Sequence, residues 1–148
     1  MEAPDLRCEG ESTMERWEDR LLAAYVRGMA RRNLPLLPPS LMETPLELLT
    51  AEEIETIFHA GEAAGLKLYY FKKKELLPRV KAVLGFLRSV QPESLLDVGS
   101  GRGVFLSPFL TEFPWIQVTA ADILPHRVQM LQAIADGGIE NLTILERD

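Results

Sequence analysis

Cysteine is almost absent: the 148-residue chain has one, Cys8, so it cannot form an internal disulfide and gives no sign of an oxidising compartment. Cys8 also sits in the aperiodic N-terminus, so a nucleophile role has almost no support. Histidine is nearly as scarce. His59 and His126 lie on separate helical stretches with no acid or cysteine at metal-ligand spacing, so no metal site is expected. No apolar run approaches the roughly 20 residues that span a bilayer. The start, Met1-Glu2-Ala3-Pro4-Asp5, lacks the basic and apolar regions of a secretory signal. A cytoplasmic protein with no membrane partner is therefore expected. Repeats and low-complexity tracts are also missing. So is any excess of positive charge, since the net charge is −6. Residues 1–90 carry 13 Lys+Arg against 14 Asp+Glu, whereas residues 91–148 carry 3 against 8. The acidic second part disfavours long-range attraction of a polyanion, so any nucleic-acid contact would come from the first.

What is present is an ordinary globular composition, 47% hydrophobic and 26% charged, enough for one domain or a small domain plus a piece of another. Residues 1–11 show no periodicity. Ser12-Thr13-Met14-Glu15 reads as a capping box, and Trp17, Leu21, Leu22, Tyr25, Val26 and Met29 recur at helical spacing, predicting a helix over about 13–32. Three prolines in residues 33–40 end it and predict a linker. Thr44 and Thr50 head two further candidate caps. The second opens a helix through Ile54, Ile57, Phe58 and Ala64 that stops near Gly65, with Gly61 weakening it slightly. Pro78 to Val90 is a further helix, with Pro78 in its first turn.

After Pro92 the pattern changes. Ser94-Leu95-Leu96-Asp97-Val98 reads as a parallel strand buried on both faces, and Val104–Phe113 as a helix whose first turns Pro108 should shift. Trp115–Ala121, Pro125–Ala135 and Leu142–Arg147 follow as strand, helix and strand, with Gly137-Gly138 stopping the helix. The expected fold class is α/β: a helical N-terminal segment, then the first half (β-α-β-α-β) of a doubly wound parallel sheet. Between the first strand and its helix lies Asp97-Val98-Gly99-Ser100-Gly101-Arg102-Gly103. Such a turn lets the backbone approach a ligand and turns the helix's first N–H groups toward it. The dinucleotide fingerprint G-x-G-x-x-G/A needs a small third residue for close helix packing, and Val104 stands there. An uncompensated Asp97 would also repel a pyrophosphate and attract a ligand bearing ammonium and sulfonium charges.

Asp97 to Gly103 resembles motif I of the Rossmann-like (class I) S-adenosylmethionine-dependent methyltransferases. The resemblance covers residues 94–148, and residues 1–93 only as a helical extension of the kind many such enzymes carry. It implies S-adenosylmethionine as cofactor, with Gly99, Ser100, Gly101 and Gly103 flanking its methionine part, Asp122 holding the ribose hydroxyls, Ile123 against the adenine and Asp148 near the adenine amino group. It implies direct methyl displacement, with the chain needing chiefly to position the acceptor. Acceptor-facing residues in this family come from the fourth strand and beyond, so catalytic residues and the methyl acceptor stay unread. Residues 1–90 are thus expected to be a helical extension or lid. Residues 91–148 are expected to be the cofactor half of a truncated sheet, completed by a missing C-terminal half or by dimerisation. A nicotinamide-dependent oxidoreductase and a noncatalytic binding or interaction module are the other classes in play.

The stretch Tyr69-Tyr70-Phe71-Lys72-Lys73-Lys74 could stack bases beside a phosphate contact or lid the cofactor, but an apolar anchor with a solvated basic turn is the favoured reading.

Overall fold

The computed structural model describes residues 17–32 and 37–146. Helix α1 spans Asp19–Ala30. It starts later than the periodicity suggests, because Trp17 pairs with Lys72 in an isolated antiparallel bridge and the Glu18 N–H donates to the Phe71 carbonyl (2.8 Å). Those pairings use backbone groups that a longer helix would need. The capping box at Ser12–Glu15 lies outside the described residues.

Part of the predicted linker is helical: α2 spans Pro39–Glu43 with proline at its first position, where a fixed φ and a missing N–H do no harm. Thr44 does not cap a following helix but closes this one, its hydroxyl donating to the Ser40 carbonyl (2.7 Å). A 3-10 turn over Leu46–Leu48 leads to α3, Ala51–Ala63. The predicted capping box opens α3: Glu53 N–H donates to Thr50 Oγ1 (3.2 Å) and Thr50 N–H to Glu53 Oε2 (2.8 Å). A second 3-10 turn, Leu68–Phe71, precedes α4, Pro78–Val90, whose limits match the sequence reading.

The remainder alternates β1 (Ser94–Val98), α5 (Leu106–Glu112), β2 (Gln117–Asp122), α6 (Pro125–Asp136) and β3 (Leu142–Glu146). The sheet is parallel in the order β1-β2-β3, with Leu95 opposite Val118 and Val118 opposite Leu142. This is the first half of a Rossmann-like sheet. Helix α5 begins two residues later than predicted and so keeps Pro108 in its first turn. Trp115 lies outside β2 and is 71% exposed.

The expectation that β1 is buried on both faces is not met. Leu95 and Asp97 share the inner face with Val118, Ala120, Asp122 and Leu142, the face on which α6 packs. The opposite row is open, with Leu96 62% and Val98 75% exposed.

Helix α1 is buried far beyond a single stripe: Leu21, Leu22, Ala23, Ala24 and Val26 are all closed off from solvent. Helix α6 covers one side, and the approach is set by glycine. A Cβ at Gly28 would lie 1.8 Å from the Ala133 carbonyl oxygen, and one at Gly137 would lie 1.6 Å from that of Ala24. Gly61 of α3 makes room for a Val26 methyl, which a Cβ there would meet at 2.9 Å. The apolar core is thus continuous from α1 through α6 to the sheet.

Candidate functional site

The glycine loop leaves β1 and is pinned to β2. Gly99 and Ser100 N–H groups both donate to the Ala121 carbonyl (2.8 and 3.3 Å), and the Gly103 N–H donates to that of Ser100 (3.0 Å). Gly99, Gly101 and Gly103 have φ of 72°, 60° and 78°, a left-handed conformation that side-chain-bearing residues adopt only at a cost, which is why this turn alternates glycine. The buried Ser100 hydroxyl donates to the Asp97 carbonyl (3.1 Å). In the first turn of α5 the Ser107 N–H donates to the Gly103 carbonyl (2.9 Å).

Two of the three predicted acids meet at this loop. Asp122, at the end of β2, is 5% exposed and has both oxygens engaged. Oδ2 accepts from the Gly101 N–H (2.9 Å) and Oδ1 from the Leu124 N–H (2.9 Å). These bonds, led by that from Leu124 and helped by Arg127, hold its carboxyl below the usual carboxylate range. Asp97 is the opposite case. Burial pushes its carboxyl up, the Ser100 side chain opposes this and the charge of Asp122 adds to it. Its Oδ2 is buried and has no hydrogen-bond partner among the described residues. An orphaned carboxylate oxygen beside a backbone loop suits a ligand that brings its own positive charge, so these residues fit an ammonium-bearing cofactor such as S-adenosylmethionine. Ile123 stands 59% exposed just past Asp122, an available apolar surface. Asp148, the third acid, lies outside the described residues.

The N-terminal segment reaches this end of the sheet. A cleft of about 320 Å³ joins Gly103, Val104 and Ser107 of the second part to Glu18, Tyr70 and Leu77 of the first. Glu18 is half-buried there, and its carboxyl is raised by burial against the pull of Ser107 and Lys73. Arg102 lies over the Tyr70 ring, 5.7 Å from its centre, and Arg127 Nη1 is 3.9 Å from Asp122 Oδ2. The sequence reading missed Glu18 and Arg127. Arg127 could have been found, since it stands one turn into the helix that follows the β2 acid. Glu18 could not, because nothing local links it to a loop more than 80 residues away. Another cleft, about 690 Å³, opens at the far end of the strands beside Arg20, Arg27 and Trp115. Ligands of open α/β sheets bind at the carboxyl ends of the strands, which is the glycine-loop side.

Among the described residues no cluster of His, Cys, Asp and Glu could hold a metal, and no helix is long and apolar enough to cross a membrane.

Parallel sheet and loop together define a class: the chain resembles the N-terminal portion of the class I, Rossmann-like S-adenosylmethionine-dependent methyltransferases. More particularly, it is similar to proteins named ribosomal RNA small subunit methyltransferase G. Those of Lactococcus lactis subsp. cremoris strains MG1363 and SK11 are each 36% identical over 73 residues, and that of L. lactis subsp. lactis strain IL1403 is 34% identical over 73. The matched stretch is 49% of this chain and 31% of each relative's length. No protein-family model matches the chain.

Proposed function

We propose that residues 91–148 are the S-adenosylmethionine-binding part of a methyltransferase acting on RNA, with residues 1–90 as a helical cover that helps to wall the site. The single observation that carries this reading is the buried Asp97 Oδ2, unpartnered among the described residues, on the strand that leads into a three-glycine left-handed loop. A pyrophosphate ligand would meet that carboxylate as a repulsion, whereas a ligand with an ammonium group satisfies it. The likeness to ribosomal RNA methyltransferases supports RNA as the acceptor class.

S-adenosylmethionine, when bound, supplies a methyl group on a sulfonium leaving group, so no residue of this chain need activate the donor. Asp97 would accept from the ammonium group, and the backbone of Gly99, Ser100, Gly101 and Gly103 would flank the methionine part. Asp122 would take the ribose hydroxyls, each carboxylate oxygen having a second lone pair beyond the one its N–H donor uses. Ile123 would lie against the adenine. Exclusion of water falls to the cleft walls that the first 90 residues contribute, Glu18 and Tyr70 among them.

Calorimetric titration of the chain with S-adenosylmethionine, S-adenosylhomocysteine and NAD tests the reading. Binding of the first two is expected, with a loss of about tenfold or more in Asp97→Asn, because a charge-assisted hydrogen bond is worth about 1.5–3 kcal/mol. Selective binding of NAD, or no binding of any of the three, would overturn it.

A further inference from the structure

The part of the molecule that the cofactor reading does not use is the outward side of residues 67–74. Leu68 and Phe71 are buried and anchor the segment, and the bridge from Trp17 to Lys72 fixes its far end. On this base the Tyr69 and Tyr70 rings lie face to face with a 36° tilt, 4.1 Å between centres, and the Tyr69 hydroxyl donates to that of Tyr70 (2.6 Å). Tyr70 is the inner member, with Arg102 of the glycine loop also against its ring. Tyr69 is the outer member, 49% exposed, and ends the stack.

The surrounding charge is mostly positive, although Glu18 and Glu75 line the same cleft and Glu75 pairs with Lys81. Among the described residues none of Lys67, Lys72, Lys74 or Arg102 forms an ion pair, whereas Lys73 faces Glu18 and Asp19. The Tyr70 hydroxyl is held below the usual phenol range, first by the hydrogen bond from Tyr69 and then, against desolvation, by Arg102, Lys67 and Arg127. Clefts open on both sides of the Tyr70–Arg102 ridge, one to Gly103 and Val104, the other to His126 and Arg127. In a chain of net charge −6, a predominantly basic patch around an exposed aromatic at the lip of the candidate site suits an anion with flat, stackable groups.

We propose that Tyr69, Tyr70 and Arg102, flanked by Lys67, Lys72 and Lys74, dock a single-stranded segment of RNA, with a base continuing the stack on Tyr69 and phosphates against the lysines. The inference rests on the methyltransferase reading and adds where the acceptor strand lies. A single strand is specified because the bases of an A-form duplex are stacked inside it and cannot reach the tyrosine face. A flat base, rather than an acidic peptide, is specified because the outer layer is aromatic and every base has a face to offer it.

Fluorescence anisotropy of a labelled oligouridylate of about a dozen nucleotides with the full chain tests this, alongside a duplex RNA and a polyglutamate competitor. Tyr69→Ala is expected to weaken single-strand binding about fivefold or more, and Tyr69→Phe to keep most of it, since the ring and not the hydroxyl stacks. Lys72→Gln with Lys74→Gln should flatten the dependence of log K on log salt by about one to two, near 0.7 for each lost phosphate contact to a single strand. Melting curves of the variants establish that they are folded. Equal affinity for duplex and single strand, unchanged binding by folded Tyr69→Ala, or displacement by polyglutamate at equal charge would each overturn the proposal. The calorimetric titration separates the two readings. Loss of cofactor binding with RNA binding intact removes the methyltransferase reading and leaves the RNA surface, and the reverse result removes the surface alone.

Discussion

Asp97 and Asp122 are the same residue type on neighbouring strands of one loop, and their surroundings push them in opposite directions. Asp122 is ionised and satisfied by backbone N–H groups, so its contribution to stability is present above the ordinary carboxylate range and is lost as pH falls through its depressed value. Asp97 is raised, so its contribution is greatest at low pH and is lost as pH rises through the raised value. Asp97→Asn is therefore expected to melt at or above the wild-type temperature at pH 7 while binding the cofactor less well. That gap should shrink as pH falls through the raised value and the wild-type carboxyl takes up its proton. Asp122→Ala should instead destabilise, by about 1–3 kcal/mol at pH 7 in a denaturant melt, because two backbone N–H groups lose their acceptor. Both acids were legible in the sequence because motif position fixes them. Which was satisfied and which was not was illegible, since that depends on the Gly101 and Leu124 N–H groups that the loop's path brings to Asp122.

At the scale of elements, the limits of α4 and β1 match the reading because each is bounded by a residue that works locally, Pro78 and Gly99. The start of α1 does not match, since a contact with residues 71–72, some 50 positions away, decides it. The glycines tell the same story. Gly61 reads as a weak spot in a helix, and Gly137 reads only as a stop. In space Gly61 admits Val26, while Gly28 and Gly137 let α1 and α6 touch backbone to backbone. Gly28→Ala and Gly137→Ala improve helix propensity or leave it unchanged, yet each puts a methyl group within 2 Å of a carbonyl oxygen of the partner helix. Each is expected to destabilise by at least about 1–3 kcal/mol in a denaturant melt, whereas Gly85→Ala on α4, with open space around it, should not.

For the whole molecule the governing feature is asymmetry. One face of the sheet carries α6 and continues into the N-terminal helices, while the other presents Leu96, Val98 and Leu145, and among the described residues no strand pairs with the free edge of β1. An apolar row beside unpaired backbone groups favours strand-to-strand association. Sedimentation velocity is expected to show concentration-dependent self-association, and Val98→Lys to suppress it by placing a charge on that row without touching the packed face. A monodisperse monomer at all concentrations would count against this. The open face was missed because an apolar strand reads alike whether one side or both are covered.

The Gly101 N–H on Asp122 bears on selectivity. With one amide on each oxygen, Asp122 keeps a second lone pair on each. On the proposed reading, a ligand with two adjacent hydroxyls would fill both, whereas a deoxyribose analogue would leave one unfilled.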